Sequence, residues 1–459
     1  MSERLVVVSN RVAGDRPPAG GLVFALHDCL TANGGVWIGS AAETVASPAD
    51  KLHHAPAQGY DRYLFDLSQI DHDRFYLGYS NSVLWPLCHG RTDLMDLRED
   101  HFNGYLDVNA RLADQMKDVL QQDDLIWIHD YHFFPLAREL RKRGITNRIG
   151  FFLHIPFPAG HDLLALSHAS DLIDWIGAYD LVGLQSERDV AQLLQAVRDH
   201  PETEILRTGQ LRVGDRVVNL RAFPIGIDVN SFRDDIDMST DAPVHLGQDE
   251  KLVFGVDRLD YSKGLPQRFD GFEHYLEHRD ADTPSATFLQ VAPISRGEVA
   301  AYQDIRATLE QKAGAINGAH GTPDWMPIRY ISQPMVRASV ARTMRLASVG
   351  LVTPLIDGMN LVAKEFVAAQ DPEDPGVLVL SKLAGAAEQM DAALLVNPYD
   401  PSQIGGAIRT ALTLPLEERR ARHATLLAGI ESQDIHWWTR TYLENLRRSQ
   451  MVPDVRMTA

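Results

Sequence analysis

The chain has 459 residues, with 62 acidic against 44 basic side chains and a formal net charge of −18. That balance disfavours nucleic acid as a partner, and no apolar run is long enough to span a bilayer, so no membrane partner is expected. Two cysteines, Cys29 and Cys88, exclude a disulfide framework, and a strand starting at Leu5 leaves no secretory signal, so a cytoplasmic protein is expected.

The first strand is Leu5–Val8, followed by Ser9, Asn10 and Arg11 and by a loop with Pro17, Pro18, Gly20 and Gly21. A glycine pair after a strand permits close approach of backbone to a ligand. Residues Trp37 to Arg91 are irregular and rich in aromatics, and read as an insertion with small β elements. Strand Asp124–Ile128 leads into His129, Asp130, Tyr131 and His132, then into a helix Leu136–Arg143. Strand Ile149–Leu153 ends in His154–Pro158, and strands Leu181–Leu184 and Val217–Phe223 follow. The polar stretch Asn230–Glu250 reads as a domain linker. The pattern then restarts with strands Leu252–Val256, Thr287–Val291, Ile328–Ile331, Gly350–Thr353, Val377–Leu380 and Leu394–Val396. Apolar strands alternating with helices imply an α/β protein with parallel sheets covered on both faces. The expected arrangement is two doubly wound, Rossmann-like domains, 1–228 and 250–430, facing across a cleft, with 431–459 packing back as helix.

Ligands of such sheets bind beyond the carboxyl ends of the strands. Arg11, His129, Asp130, His154, Arg258, Arg296 and Asp357 all follow strands. In the stretch Gly350–Gln370, Pro354 ends a strand, Asp357 and Gly358 turn the chain, and Asn360 caps a helix Leu361–Ala369. The amides of Met359, Asn360 and Leu361 then lie at the positive end of a helix, a ready anion site. A nucleotide-sugar fits, with its diphosphate on the helix end, Glu365 on the ribose and Asp357 on the sugar. Arg258 and Lys263 share one loop and could grip that diphosphate, and Arg296 follows another strand in the same way. His129, Asp130 and His132 could ligate a metal, but their spacing is loose and hydroxyl recognition explains them as well. No Cys/His cluster has zinc spacing. By composition alone, His154, Tyr76 and Trp85 read as core residues.

Several ordered motifs give the chain a recognisable kin. They are Val7–Arg11, Tyr79–Asn81 with Leu84–Pro86, His129–His132, Gly150–Pro158, Arg258–Gly264, Ala292–Gly297, Asp357–Glu365 and Asn397–Tyr399. With these the chain resembles the trehalose-6-phosphate synthases, retaining glycosyltransferases of family 20 with the GT-B fold. The resemblance implies UDP-glucose as donor, glucose 6-phosphate as acceptor, and trehalose 6-phosphate and UDP as products. It implies a catalytic set of Asp130, His154, Arg258, Lys263 and Asp357. Arg258 and Lys263 would hold the diphosphate, Glu365 the ribose, and Asp357 and His154 the glucose hydroxyls. Gly358, Met359, Asn360, Leu361 and Val362 would line the donor, and Gly20 and Gly21 would belong to a loop closing over it. Arg11, Tyr76, Trp85 and Arg296 would cradle the acceptor, with Asp130 on one of its hydroxyls. No cofactor and no essential metal are expected, and a homo-oligomer is. Two departures bear on the acceptor side: Ser40, Ala41 and Ala42 follow Trp37–Gly39 where the family usually has a second Trp, and Ala159–Asp162 replace a polar stretch with Glu. The alternatives are the same chemistry on a polyol or cyclitol phosphate, another nucleoside-diphosphate-glucose, or a non-catalytic sugar-phosphate sensor. An oxidoreductase is set aside, because no Gly-x-Gly-x-x-Gly turn follows a strand.

Overall fold

The computed structural model describes residues 3–12, 21–57, 59–198, 200–206, 209–238, 244–247, 249–280, 283–294 and 300–449. The chain divides into two compact units, Met1–Pro224 with Trp438–Ala459 (unit 1) and Ile225–Trp437 (unit 2).

Unit 1 is built on strands Leu5–Arg11 (β1), Val36–Ser40 (β2), His53–Pro56 (β3), Asp61–Phe65 (β4), Leu125–His129 (β5), Arg148–Phe152 (β6), Leu181–Leu184 (β7), Thr203–Ile205 (β8), Gln210–Val213 (β9) and Arg216–Ala222 (β10). They form one sheet in the order β3-β4-β2-β1-β5-β6-β7-β10-β9-β8. The strands from β4 to β10 in that order pair in parallel, while β3 and the β10–β9–β8 ribbon add antiparallel margins. Val6, Val7, Val8, Ile126, Trp127 and Ile128 have no solvent exposure, as a sheet covered on both faces requires. The final helix, Ile435–Arg448, belongs here through Tyr442, whose hydroxyl donates to Phe151 O at 2.9 Å.

The stretch Trp37–Arg91 holds the expected short strands, β2, β3 and β4, but they are part of the main sheet and not an insertion, and its second half is helical. Its first strand, β2, lies within the main sheet in register with β1, Val7 opposite Trp37. After β4 the chain is helical from Gln69 to Cys88: a capping box between Ser68 and Asp71 starts it, and a π-helical run His72–Leu84 continues it. Phe75, Tyr79 and Val83 recur four apart along it, but buried Gly78, Ser80 and Asn81 lie among them and mask the apolar stripe in the sequence.

Unit 2 contains strands Lys251–Val256 (β11), Ala286–Val291 (β12), Ile328–Ile331 (β13), Val349–Val352 (β14), Val377–Ser381 (β15) and Leu394–Val396 (β16). All pair in parallel in the order β13-β12-β11-β14-β15-β16. The expected linker is partly a helix, Val229–Met238. Val229, Phe232 and Ile236 are buried along it, a helical apolar stripe hidden among acidic neighbours. Cys29 and Cys88 are buried and form no disulfide with each other. Among the described residues, no helix is long and apolar enough to cross a membrane.

Candidate functional site

In unit 2 the central strands β11 and β14 both end in loops that are sewn together. Leu355 N–H donates to Ser262 O at 2.8 Å, and Gly264 adopts φ 64°, with a Cβ there placed 2.4 Å from Thr353 O. Only glycine meets both conditions. This contact brings Lys263 to Asp357 across 94 residues of chain, Nζ to Oδ2 at 2.5 Å, both side chains nearly buried. Arg258 lies exposed on the same β11 loop.

Asn360 does not cap the helix Leu361–Ala369. It stands at the cap position in the left-handed region, φ 73° and ψ 84°, and its amide donates to Asp357 Oδ2 at 3.0 Å instead. Asp357 therefore receives both Lys263 and Asn360. The first-turn amides of the helix keep no intrahelical acceptor, so an anion remains well placed there. Gly385 and Ala386 hold the other side of the loop, donating to Asp357 O and Met359 O at 3.1 and 2.9 Å. Asp357 stands five residues beyond β14 rather than directly after it. Glu365 is half-buried one turn into the helix, and burial pushes its carboxyl up, opposed by Arg337.

Sequence reasoning missed the group beneath these loops. Arg268, fully buried, donates to Asp257 and Gln290 at 2.9 Å each, to Thr353 Oγ1 at 3.2 Å and to Lys263 O at 3.3 Å. It locks the ends of β11, β12 and β14 to the Lys263 turn. Burial raises the Asp257 carboxyl against the pull of Arg268. Removing one partner of such a pair strands the other charge and costs about 3–5 kcal/mol. The signal was there: Leu265, Arg268, Phe269 and Phe272 share one helical face, and a charge on an apolar face demands buried partners.

In unit 1, Arg11 ends β1 after a register shift between Val8 and Arg11. Trp37 Nε1 donates to Ser9 Oγ at 2.8 Å, and Ser9 Oγ donates to Arg11 O at 2.7 Å, which fixes the bulged backbone. Arg11 and Tyr76 line one cavity of about 410 Å³ with Asn10, Ser40, Ala41 and His72. Ser40 Oγ donates to Asn10 O at 2.5 Å. Tyr76 stacks on His132, with ring centroids 5.8 Å apart. Trp85 is buried in the core against His89 and Tyr131 and does not line that cavity.

The β5 and β6 ends meet at Asp130. Its backbone has φ 76°, rare for a residue with a side chain, its N–H donates to Phe152 O, and its Oδ1 accepts from His154 N–H at 3.3 Å. His129 Nδ1 and His154 Nε2 lie 3.1 Å apart, and Gln185 Nε2 is 3.4 Å from His154 Nδ1. Burial lowers both imidazoles, His154 to about 3, so both are neutral near pH 7. His129, Asp130 and His132 form no three-ligand grouping among the described residues. Gly20 and Arg296 lie outside the described residues, and Gly21 opens the helix Gly21–Asn33.

The chain is similar to known proteins along nearly its whole length. Residues 9–448 match the family described as glycosyltransferase family 20. The chain is 44% identical over 455 residues to a trehalose-6-phosphate synthase of Enterobacter sp. (strain 638), covering 97% of this chain and 95% of that protein. It is similar to the crystal structure of an alpha,alpha-trehalose-phosphate synthase (UDP-forming) from Burkholderia vietnamiensis, with TM-score 0.94, 43% identity and 98% of each chain covered. Trehalose-6-phosphate synthase of E. coli bound with UDP-2-fluoro glucose has TM-score 0.91 and 43% identity, over 97% of this chain and 99% of that one. The enzyme from Burkholderia xenovorans in complex with glucose-6-phosphate has TM-score 0.91 and 42% identity, over 97% and 100%.

Proposed function

The chain belongs to glycosyltransferase family 20, and from that premise we infer that it transfers glucose with retention from UDP-glucose to glucose 6-phosphate, giving trehalose 6-phosphate and UDP. The observation that carries the reading is the pair of joined loops after β11 and β14. They set a lysine and a helix N-terminus around one carboxylate, with an exposed arginine on the same β11 loop, in a chain 43% identical to an enzyme solved with a UDP-glucose analogue. The test is product analysis with UDP-, GDP- and ADP-glucose against several acceptors; trehalose 6-phosphate from UDP-glucose is the expected main product.

In the reaction the bond between glucose C1 and the diphosphate oxygen breaks, and a bond from C1 to the anomeric oxygen of the acceptor forms on the same face. The acceptor proton passes to the departing phosphate oxygen. Charge builds on that diphosphate, where Arg258, Lys263 and the amides at Leu361 and Val362 would stabilise it. Gly358, Met359 and Asn360 would line the donor through their backbone. Lys263 is already paired with Asp357, so donor binding exchanges part of that pair for phosphate and leaves Asp357 and Asn360 to meet sugar hydroxyls. Glu365 would accept from the ribose. Neutral His154 would bond a glucose hydroxyl without adding charge by exchanging its 3.4 Å contact with Gln185. Arg11, Tyr76 and Asp130 would contact the acceptor, and Arg296 and the Gly20–Gly21 loop would contribute as the family resemblance implies. The buried place of Trp85 makes it a wall behind the site more than a contact.

No metal is required in this scheme, because two cationic side chains and a helix end can together neutralise a diphosphate. EDTA should therefore leave at least about half of the activity, a loss well under 1 kcal/mol in barrier. Abolished turnover that added divalent ion restores would overturn this point.

Small residues at Ser40, Ala41 and Ala42 leave the cavity beside Arg11 open. Ser40→Trp should fill it and sharpen selectivity for glucose 6-phosphate over bulkier phosphorylated acceptors, by roughly tenfold or more in competition assays. Unchanged selectivity would place the acceptor elsewhere.

A further inference from the structure

The chain passes between the two units twice, after Pro224 and after Trp437. Within unit 2 these passages touch. Gly226 lies so close to the second that a Cβ there would stand 2.3 Å from Gln433 O and 2.5 Å from the Asp434 carbonyl carbon. Ile435 N–H donates to Ile227 O at 3.4 Å.

One side chain joins both passages to the helix Leu361–Ala369. Lys364, 1% exposed, donates from Nζ to Ile225 O and to Gln389 Oε1, each at 2.8 Å. Gln389 Nε2 in turn donates to Gln433 Oε1. Gln389 also closes the short turn Gly385–Glu388, whose amides hold Asp357 O and Met359 O. The loop after β14, its helix and both passages are thus linked through a single ammonium.

A buried lysine with two neutral acceptors is an expensive way to fill an interior position. An apolar side chain would serve packing better. Burial draws the Lys364 ammonium down to about 7, which expresses that cost. What an apolar side chain could not supply is the bond to Ile225, 139 residues away, together with the one to Gln389.

We propose that Lys364 is a positioning residue for the donor, coupling occupancy of the Thr353–Asn360 loop to the two passages at Ile225–Asp228 and Gln433–His436. The proposal rests on the donor reading of that loop. A ligand that orders the loop then also orders segments it does not touch, by removing motion from a connected hydrogen-bond network.

Hydrogen exchange followed by mass spectrometry on the full chain, with and without saturating UDP, tests this. In the parent protein UDP should slow exchange at Thr353–Leu361 and at both passages, by about tenfold, the scale of one hydrogen bond to a charged group. Lys364→Met should keep protection at the loop, lose it at both passages, and raise KM for UDP-glucose roughly tenfold with a smaller change in kcat. Gln433→Ala changes a partly exposed residue and leaves both Lys364 bonds intact. It should keep protection at Ile225–Asp228 and lose it at Gln433–His436, so the coupling is tested even if Lys364→Met folds poorly. Protection confined to the loop in the parent, or undiminished at Gln433–His436 in Gln433→Ala, overturns the coupling. Absence of any UDP protection at Thr353–Leu361 in the parent overturns the donor reading itself, and the coupling with it.

Discussion

Lys263→Ala should lower kcat/KM for UDP-glucose by about 10²–10³-fold, the range for removing one preorganised donor from a developing anion. Lys263 sits where the loops after β11 and β14 meet, and its ammonium is held against Asp357 before any ligand arrives. That pairing makes the prediction sharper. The charge is preorganised, so its loss removes stabilisation that would otherwise need no reorganisation in the transition state. Arg258→Ala should act in the same direction, with a smaller loss, because its side chain is exposed and water screens its charge. Steady-state kinetics against varied UDP-glucose check both, with thermal unfolding as a control, since the variant leaves Asp357 without its cation. A kcat/KM within a few-fold of the parent in both variants would mean that the diphosphate lies elsewhere.

Free glucose should be a poor acceptor, at least about 10³-fold below glucose 6-phosphate in kcat/KM. A site built to bind a charged group rejects the analogue that lacks it, since its own polar groups are left unpaired. Arg11 and Arg62 both line the cavity that Tyr76 and Ser40 share, and the backbone of Arg11 is fixed by the Trp37–Ser9–Arg11 chain of hydrogen bonds. Arg11→Ala should therefore raise KM for glucose 6-phosphate by about 10–100-fold, the loss of a hydrogen bond to phosphate, with KM for UDP-glucose nearly unchanged. Varying each substrate in turn separates the two constants. Equal use of glucose and glucose 6-phosphate would remove the phosphate cradle from the description of this site.

Much of the site was legible before any coordinates, because strand-end loops announce themselves locally. Asp357, Gly358 and the helix Leu361–Ala369 follow from turn chemistry and period, and the helix bounds coincide with those expected. The misreadings have separate local causes. Asn360 looks like a cap because asparagine favours caps, yet the nearby Asp357 carboxylate offers its amide a charged acceptor and φ 73° turns it away from the helix. The run His72–Leu84 looks irregular because buried Gly78, Ser80 and Asn81 break up its apolar stripe. Val229–Met238 looks like linker because its three acidic residues are interleaved with its short apolar stripe.

By itself, the sequence determined the two parallel-sheet units, the strand ends that carry Arg11, Asp130, Arg258 and Asp357, and the family to which the chain belongs. These rest on backbone period, turn residues and ordered motifs, all encoded within a few neighbouring positions. Only the tertiary structure decided which charges are buried and what satisfies them. Arg268 beneath the β11, β12 and β14 ends, Lys263 on Asp357, the neutral His129–His154 pair and Lys364 on Ile225 each join residues from 11 to 139 positions apart. A buried charge takes its energy from the groups that replace its water, and those are assembled only when distant segments pack.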